Sequence, residues 1–432
     1  MKLEMGIFPV REIALGRTTE YKDGKLAVDA EEVVRLAREN PLVIDAACEV
    51  VVPGESVRVP YILDAVEPRV KVSGPGCVFP GILGGVETVG AGRTHRLAGM
   101  AVVASGGIPL PAQGTGASRG AFLDMAEPGN RGPLSHTMNL VLLLEFEPGH
   151  GELDYHAAVQ MAEMRVARHL ATATADLTPS EVVTYDIEEL DPALPKVVLI
   201  QGTITVAHEA HPWYAFYGQA IRAVFPFWIH PNELLDGALT ARATGTPGHS
   251  PSTWEWSNHP VVEELYRAHG HELNFLGVVL HRIRFETHVA KEMAANQAAK
   301  LAGRLGAESA IVGWLGAGNA FIDTMLEVQA CERAGIRAVL LTYEQPGVKG
   351  VDPPFMFTVP EADAIVSTGN KNVALCTAPV ARVAGGRKTL RWDFAANAPE
   401  VPAREAIQVD DLFRIFGGVD IWGWGRVTCQ ER

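Results

Sequence analysis

From about residue 137 onward, short apolar runs alternate with longer stretches of helical periodicity, and this alternation limits the fold more than any other feature. The predicted strands cover residues 138–146, 196–201, 275–281, 310–315, 337–342 and 364–367, and the predicted helices cover residues 155–173, 288–305 and 321–334. A further helix is predicted to start at residues 178–181, where Thr-Pro-Ser-Glu has the pattern of an N-cap followed by proline. Strands separated by long helices are typical of a doubly wound, largely parallel sheet. Such sheets bind ligands beyond the carboxyl ends of their strands.

The region before residue 137 has a different character. It is rich in Gly, Pro and Val and breaks into short strand-like runs between turn residues, which is typical of β-structure. One helix is predicted at residues 30–39, with Asp29 as its N-cap. A chain of 432 residues is also long for a single domain. We therefore predict an α/β protein with a β-rich N-terminal domain at residues 1–136 and an α/β region of one or more domains at residues 137–432.

Composition and charge exclude several classes of protein. The formal net charge is −14, so the phosphates of nucleic acids and anionic lipids would repel the chain. The apolar runs are far too short to span a bilayer, and the N-terminal segment carries acidic residues, unlike a signal peptide. The five cysteines have no CxxC spacing, and their odd number disfavours a disulfide framework. We expect a cytoplasmic protein with no nucleic-acid or membrane partner.

A glycine-rich strand-to-helix turn, WLGAGNAFID, occupies residues 314–323. Backbone N–H groups at the start of such a helix can hold a carboxylate or a phosphate. The turn is not a dinucleotide fingerprint, because Phe321 stands where the third glycine of GxGxxG belongs. A site for a small anion and a plain tight turn both remain open.

Nine of the fourteen histidines lie between residues 208 and 288. His208 and His211 form an HExH string, which is one residue too short for the HExxH zinc helix, and Pro212 interrupts any continuous helix through the pair. The pair is consistent with a divalent metal held by a loop, or with polar loop histidines that form hydrogen bonds.

A long polar stretch rich in Gly, Pro, Ser and Thr covers residues 240–260. Long loops inside compact domains are usually functional or disordered. Trp254 and Trp256 argue against simple disorder, since large aromatic side chains need a packing partner. We interpret the stretch as a loop of the functional site or as a processing loop.

Four strings in the same order along the chain resemble one protein family. They cover residues 66–81 (VEPRVKVSGPGCVFPG), 92–102 (GRTHRLAGMAV), 258–279 (NHPVVEELYRAHGHELNFLGVV) and 361–370 (EADAIVSTGN). On these strings the chain resembles the fused alpha/beta-subunit precursor of component B of glycine, sarcosine and betaine reductase, a family related to the D-proline reductase precursor. The resemblance spans nearly the whole chain.

The resemblance implies a particular chemistry. Precursors of this family cleave themselves in the middle, and the cysteine at the new N-terminus becomes a pyruvoyl group that captures the substrate amine as an imine. A selenocysteine on a partner subunit then takes the carbon fragment. Thr244 aligns with the cleavage cysteine, and no cysteine lies between Cys77 and Cys331. A pyruvoyl group is therefore not expected, no other cofactor is firmly indicated, and a divalent metal is an open alternative.

Several positions match the family. One pocket is predicted to gather His211, His269 and the turn at residues 316–323, with Arg93 and His95 reaching into it from the β-rich domain. The residues with a predicted catalytic role are His95, His211 and His269. The residues with a predicted substrate-binding role are Arg93, Gly318, Asn319, Asp323, Gly369 and Asn370.

The resemblance and the missing cysteine together predict a function. We expect a component B-like enzyme subunit that performs C–N bond chemistry on a small amine or amino-acid derivative, unprocessed and without pyruvoyl. One alternative is a true selenoprotein-dependent reductase subunit with a keto-acyl group made at Thr244 or a nearby serine. The other is a non-catalytic substrate-binding or scaffold subunit. In each case we expect a larger partner subunit, self-association, or both.

Overall fold

The computed structural model describes residues 1–109, 121–188, 191–204, 214–221, 225–242, 250–283, 285–315, 318–391 and 400–424. A β-rich region comes first and an α/β region built on a largely parallel sheet follows, so the predicted fold class is confirmed. None of the helices in these ranges is long and apolar enough to cross a membrane.

The N-terminal region is built mainly from short strands. Its elements are β1 (Leu3–Pro9), β2 (Glu12–Gly16), β3 (Glu20–Lys22), β4 (Lys25–Asp29), α1 (Ala30–Ala37), β5 (Val43–Val51), β6 (Val57–Val59), β7 (Ile62–Val66), β8 (Arg69–Ser73), β9 (Gly92–Ala98), β10 (Met100–Ser105), β11 (Leu123–Asp124), β12 (Met138–Phe146), α2 (Glu152–Thr172) and β13 (Glu181–Tyr185). Asp29 caps α1 as predicted, because its carboxylate accepts hydrogen bonds from the backbone N–H groups of Glu31 and Glu32.

Two four-stranded sheets form the frame of this region, with strand orders β13-β1-β9-β8 and β5-β12-β10-β7. The predicted strand at residues 138–146 is confirmed as β12, but it pairs with β5 and β10 rather than joining the parallel sheet. The predicted helix that follows is α2, and it packs into the same N-terminal core. The predicted domain boundary after residue 136 stays a prediction.

The predicted helix start at residues 178–181 is wrong. Residues from Glu181 to Tyr185 form β13, which pairs antiparallel with β1. Without β13, that edge of β1 would present unpaired N–H and C=O groups, and pairing overrides the local capping pattern.

The α/β region contains β14 (Lys196–Ile204), β15 (Tyr214–Phe216), β16 (Gln219–Ala220), β17 (Phe227–Ile229), α3 (Pro231–Leu235), β18 (Leu239–Ala241), α4 (Thr253–Ser257), α5 (Pro260–Ala268), β19 (Asn274–Ile283), α6 (His288–Leu305), β20 (Ser309–Gly313), α7 (Ala320–Arg333), β21 (Arg337–Glu344) and β22 (Ile365–Asn370). Its six-stranded sheet has the order β17-β19-β14-β20-β21-β22, and all neighbours are parallel except β17 and β19. Helix α6 has the predicted bounds and ends at Gly306, whose φ of 83° requires a left-handed backbone.

The C-terminal segment returns to the N-terminal region. It forms β23 (Leu375–Cys376), β24 (Arg382–Val383), β25 (Thr389–Leu390), β26 (Val401–Pro402) and β27 (Gln408–Val409). Strand β24 pairs with β6, and the buried Arg58 of β6 donates to the carbonyl oxygens of Ala403 and Glu405 while its Nε lies 2.6 Å from Asp124. These bonds fix the C-terminal segment to the first region.

Arg69 on β8 joins the N-terminal sheets to the α/β region. Its side chain is fully buried, and its guanidinium forms a salt bridge with Glu67 and donates to the backbone carbonyl of Leu235 at the end of α3. It also donates to the carbonyl of Ser257 at 3.0 Å and to the amide oxygen of Asn258 at 2.8 Å. The first strands and the start of α5 are thereby held in one arrangement.

The substitution Arg69→Met should lower the free energy of unfolding by about 3–5 kcal/mol, because it removes the closer of the two arginines that pair with the buried Glu67 carboxylate, at 2.6 Å against 3.2 Å for Arg96. Arg93→Met on the adjacent strand is the matched control. The side chain of Arg93 is 39% exposed and pairs with Glu4, so its loss should cost less than about 1 kcal/mol. Urea unfolding of both variants measures the difference, and equal losses would contradict the anchoring role of Arg69.

Candidate functional site

The residues predicted to bind substrate in the α/β region lie at one edge of the six-stranded sheet. Gly318, Asn319 and Asp323 begin α7, directly after β20, and Gly369 and Asn370 end β22. Because β20, β21 and β22 are parallel neighbours, both groups lie at the carboxyl ends of the strands. That is the edge where ligands bind in such sheets. Their binding role stays a prediction.

Asp323 is already engaged in contacts within the protein. It forms a buried salt bridge with Lys291 of α6, and its other oxygen accepts a hydrogen bond of 3.1 Å from the backbone N–H of Phe285. Asn319 lies beside this pair, and its backbone oxygen is 3.4 Å from the Lys291 ammonium. Burial raises the pKa of Asp323, and Lys291 partly opposes that rise. The salt bridge ties α7 to α6, and the hydrogen bond from Phe285 ties α7 to the segment between β19 and α6.

One turn farther along α7, Glu327 faces His281 of β19. The His281 Nε2 lies 2.6 Å from Glu327 Oε1, and both side chains are buried. The His281 Nδ1 donates to the carbonyl of Arg282 at 2.9 Å. Burial lowers the pKa of His281, but the Glu327 carboxylate outweighs it and the net shift is upward. Glu327 and Lys291 were not predicted from the sequence, although acids at positions 323 and 327 share one helix face.

His269 lies at the amino-terminal ends of the parallel strands, opposite to the end where Gly318 and Asp323 lie. It follows α5 and precedes β19, and its Nδ1 accepts from the N–H of Phe275 at 3.0 Å while its Nε2 donates to the carbonyl of Glu188 at 2.9 Å. Strand β19 has 10 residues, which span about 30 Å at roughly 3.3 Å per residue. The prediction that His269 shares a pocket with Gly318 and Asp323 is therefore wrong. A catalytic role for His269 elsewhere stays a prediction.

Arg93 and His95 lie on β9, in a sheet of the N-terminal region. Arg93 pairs with Glu4 of β1 at 2.6 Å. His95 is buried against Phe8, with ring centroids 4.9 Å apart, and its Nδ1 donates to the carbonyl of Thr174 at 2.9 Å. Burial lowers the pKa of His95. The structure does not bring these two residues to the carboxyl edge of the parallel sheet, and their chemical roles stay predictions.

The remaining predicted residues, His208, His211 and Thr244, lie outside the described residues. The predictions of a divalent metal and of a processing position therefore stay predictions. In the ranges that the structure describes, no group of three or more His, Cys, Asp and Glu side chains is placed to hold a metal ion. Both flanks of the segment around Thr244 are described, up to residue 242 and from residue 250.

These two flanks are joined by hydrogen bonds. The N–H of Ala241 donates to the Thr253 hydroxyl at 2.8 Å. That hydroxyl donates to Asp64 of β7 at 2.6 Å, and the Thr253 N–H donates to the same carboxylate at 2.9 Å. On the other side, the Gln160 amide of α2 donates to the carbonyl of Ala241 at 2.8 Å. The N-terminal region thus holds both ends of the segment.

Three buried carboxyl groups surround this anchor: Asp64, Glu163 of α2 and Glu255 of α4. Burial raises the pKa of Asp64 to about 6 and that of Glu255 to about 7. The pKa of Glu163 is raised well above its usual value, first by burial and then by the neighbouring Asp64. None was predicted from the sequence. The available signal was an acid at position 163, on the buried face of α2 between Val159 and Ala167.

The C-terminal segment covers α4. Trp424 packs on Trp254 with ring centroids 5.3 Å apart, and Trp422 packs on Trp256 at 4.7 Å. The Trp422 indole N–H also donates to Gln201 of β14 at 3.1 Å. The expectation that Trp254 and Trp256 have packing partners is confirmed. These contacts connect the anchored flanks to the six-stranded sheet.

The buried Glu255 should make stability depend on pH. Its folded pKa of about 7 lies above the usual value of 4.5, so the folded state retains a proton that the unfolded chain loses. The stabilisation is present below pH 4.5 and is lost as pH rises through about 7. Between pH 5 and pH 8 the unfolding free energy of wild type should fall relative to Glu255→Gln by about 2–3 kcal/mol. Urea unfolding at both pH values checks this, with exposed Glu31→Gln as control. A pH-independent difference would contradict it.

Comparison with known proteins identifies the family. A family model described as glycine/sarcosine/betaine reductase component B subunits matches residues 1–430. The alpha subunit of sarcosine reductase complex component B from Peptoclostridium acidaminophilum is 34% identical over 386 residues, 86% of each chain. From the same organism, component B subunits alpha and beta of the glycine reductase complex are 32% identical over 440 residues, and the betaine reductase alpha subunit is 29% identical over 450 residues, each covering 100% of both chains.

No solved structure is significantly similar to the chain. The sequence matches nonetheless extend over almost its entire length, and they confirm the resemblance inferred from the four strings. The chain belongs to the glycine/sarcosine/betaine reductase component B family.

Proposed function

We propose that the chain is a substrate-binding subunit of a reductase-type complex and acts, without being cleaved, on the C–N bond of a small amine or amino-acid derivative. Its relatives are named as components of sarcosine, glycine and betaine reductase complexes, and these three compounds are glycine and two of its N-methylated derivatives. The absence of a cysteine between Cys77 and Cys331 is the observation that carries the unprocessed state.

The residues present do not fit a pyruvoyl group made from cysteine. Thr244 occupies the aligned position, and dehydration of threonine would give a 2-oxobutanoyl group instead. Ser252 is committed to capping α4, because its hydroxyl accepts from the N–H of Glu255 at 3.3 Å and donates to the carboxylate of Glu255 at 2.8 Å. The proposed chemistry therefore does not pass through a pyruvoyl group.

Without a carbonyl group on the protein, proton transfer falls to side chains. We propose His211 as the acid–base group, since an imidazole can accept or donate a proton near neutral pH. A divalent metal at His208 and His211 is a second way to polarise the substrate. Any selenol that takes the carbon fragment belongs to a partner, because the chain contains no selenocysteine.

The unprocessed state predicts a single polypeptide. Mass spectrometry of the denatured protein should show one species of 46.5 kDa. The protein should not react with hydroxylamine, because it carries no keto-acyl group. Two fragments, the second with a blocked N-terminus near Thr244, would instead support the alternative of a true reductase subunit.

Membership in a reductase-type complex predicts that the chain associates with a partner subunit, with itself, or with both. Light scattering of the purified chain should give a mass above the 46.5 kDa monomer, or affinity purification from the native host should recover a larger partner subunit. The chain alone should bind its amine substrate but not release the carbon fragment. A pure monomer that recovers no partner and completes turnover alone would contradict the proposal.

A further inference from the structure

Glu163 is an unusual residue for the middle of a helix that faces a protein core. Its side chain is fully buried, and among the described residues no backbone N–H, hydroxyl, amide or basic side chain donates a hydrogen bond to its carboxyl oxygens. Within the described part of the chain no Lys or Arg forms an ion pair with it. Burying a carboxyl group away from hydrogen-bond donors destabilises the fold, and more strongly when the group is charged. Such a group needs a physical explanation.

The neighbour of Glu163 is a second carboxyl group, Asp64. Asp64 has its own donors, because both the N–H and the hydroxyl of Thr253 bind it. The Gln160 amide is also occupied, since it donates to Thr240 and Ala241. The donors on β18, α2 and α4 are therefore used elsewhere, and Glu163 has Asp64, an acid on a separate element, as its hydrogen-bonding neighbour.

Asp64 and Glu163 are close enough to form a hydrogen bond with each other. Two buried carboxyl groups in such a position do not both ionise. Burial and then Asp64 raise the pKa of Glu163, which favours a form of the pair in which the two carboxyl groups share one proton. Glu255 of α4 adds a third acid, and Asp64 raises the pKa of Glu255 further. A ligand that brings its own positive charge and its own N–H donors would supply what this site lacks.

We propose that Glu163 and Asp64 bind the protonated amino group of the substrate, and that the site selects primary or secondary ammonium groups over quaternary ones. This inference rests on the proposed function, since it names the group that holds the amine. A primary ammonium has three N–H groups and a secondary ammonium has two, and these can donate to the carboxyl oxygens of the pair in place of the proton that the two acids share. A quaternary ammonium such as that of betaine has no N–H to donate.

Binding is coupled to loss of a proton. The pair begins with one proton on Glu163, and a bound ammonium replaces that proton, which leaves to the buffer. The substrate keeps its charge, no covalent bond changes, and the site exchanges one positive charge for another. Affinity should therefore rise with pH, by up to about tenfold per pH unit while the pair remains protonated.

Isothermal titration calorimetry with sarcosine, glycine and betaine at pH 7, in two buffers of different ionisation enthalpy, tests the inference on the full chain. We expect release of about one proton per sarcosine or glycine bound, and binding of betaine that is weaker by about tenfold or more. Glu163→Gln should abolish proton release and weaken sarcosine binding by about tenfold or more, whereas the exposed Glu31→Gln should match wild type.

The outcomes separate this inference from the proposed function. If sarcosine binds without proton release, and Glu163→Gln binds it with the same affinity as wild type, the proposed amine site at Glu163 and Asp64 is wrong. The proposed function would still stand. Failure of wild type to bind any of the three compounds would contradict the proposed function itself. Circular dichroism shows whether Glu163→Gln folds. If it does not, the proton release and the pH dependence of binding, both measured on the wild-type protein, still test the inference. An affinity for sarcosine that does not change between pH 6 and pH 8 would overturn the inference.

Discussion

Burial of charged side chains at the junction of the two regions is the constraint on which the rest of the structure depends. The buried N–H groups of Arg69 have hydrogen-bond acceptors only when Leu235, Ser257 and Asn258 occupy their present positions. Asp236, at the end of α3, is held in the same way by the Thr94 hydroxyl at 2.6 Å, and by the ammonium of Lys71. Breaking one of these pairs leaves an unpaired charge away from water. Any other arrangement of the two regions would therefore be much less stable.

This junction explains why the segment around Thr244 has rigid ends. α3 precedes β18 and α4 precedes α5, so the anchors at Asp236 and Arg69 fix the elements on both sides of the segment. Asp64 then joins those ends through Thr253. The chain has no cysteine in this segment. The buried carboxyl groups of Asp64 and Glu255 lie at the ends of the segment, where they bind Thr253 and Ser252. These groups suit recognition of an amine.

Local periodicity predicted the α/β elements well, because it depends on neighbouring residues. Helix α6 matches its predicted bounds, and the N-cap Asp29 was found from its residue type and position. Strand pairing depends on distant residues, so β12 was placed in the wrong sheet and β13 was taken for a helix start. For the same reason, family matches at His269 and Asp323 suggested one pocket although the sheet separates them. The acid at position 163 is visible in the sequence, but only packing shows that it meets Asp64.

The protonation state of the Asp64–Glu163 pair tests this account most directly. Infrared difference spectroscopy can detect the carbonyl stretch of a protonated carboxyl group in wild type against Glu163→Gln. The account predicts such a signal at pH 7 in wild type, its loss in the variant, and its loss from wild type when a saturating primary or secondary amine binds. A wild-type protein with no protonated buried carboxyl group at pH 7 would contradict it.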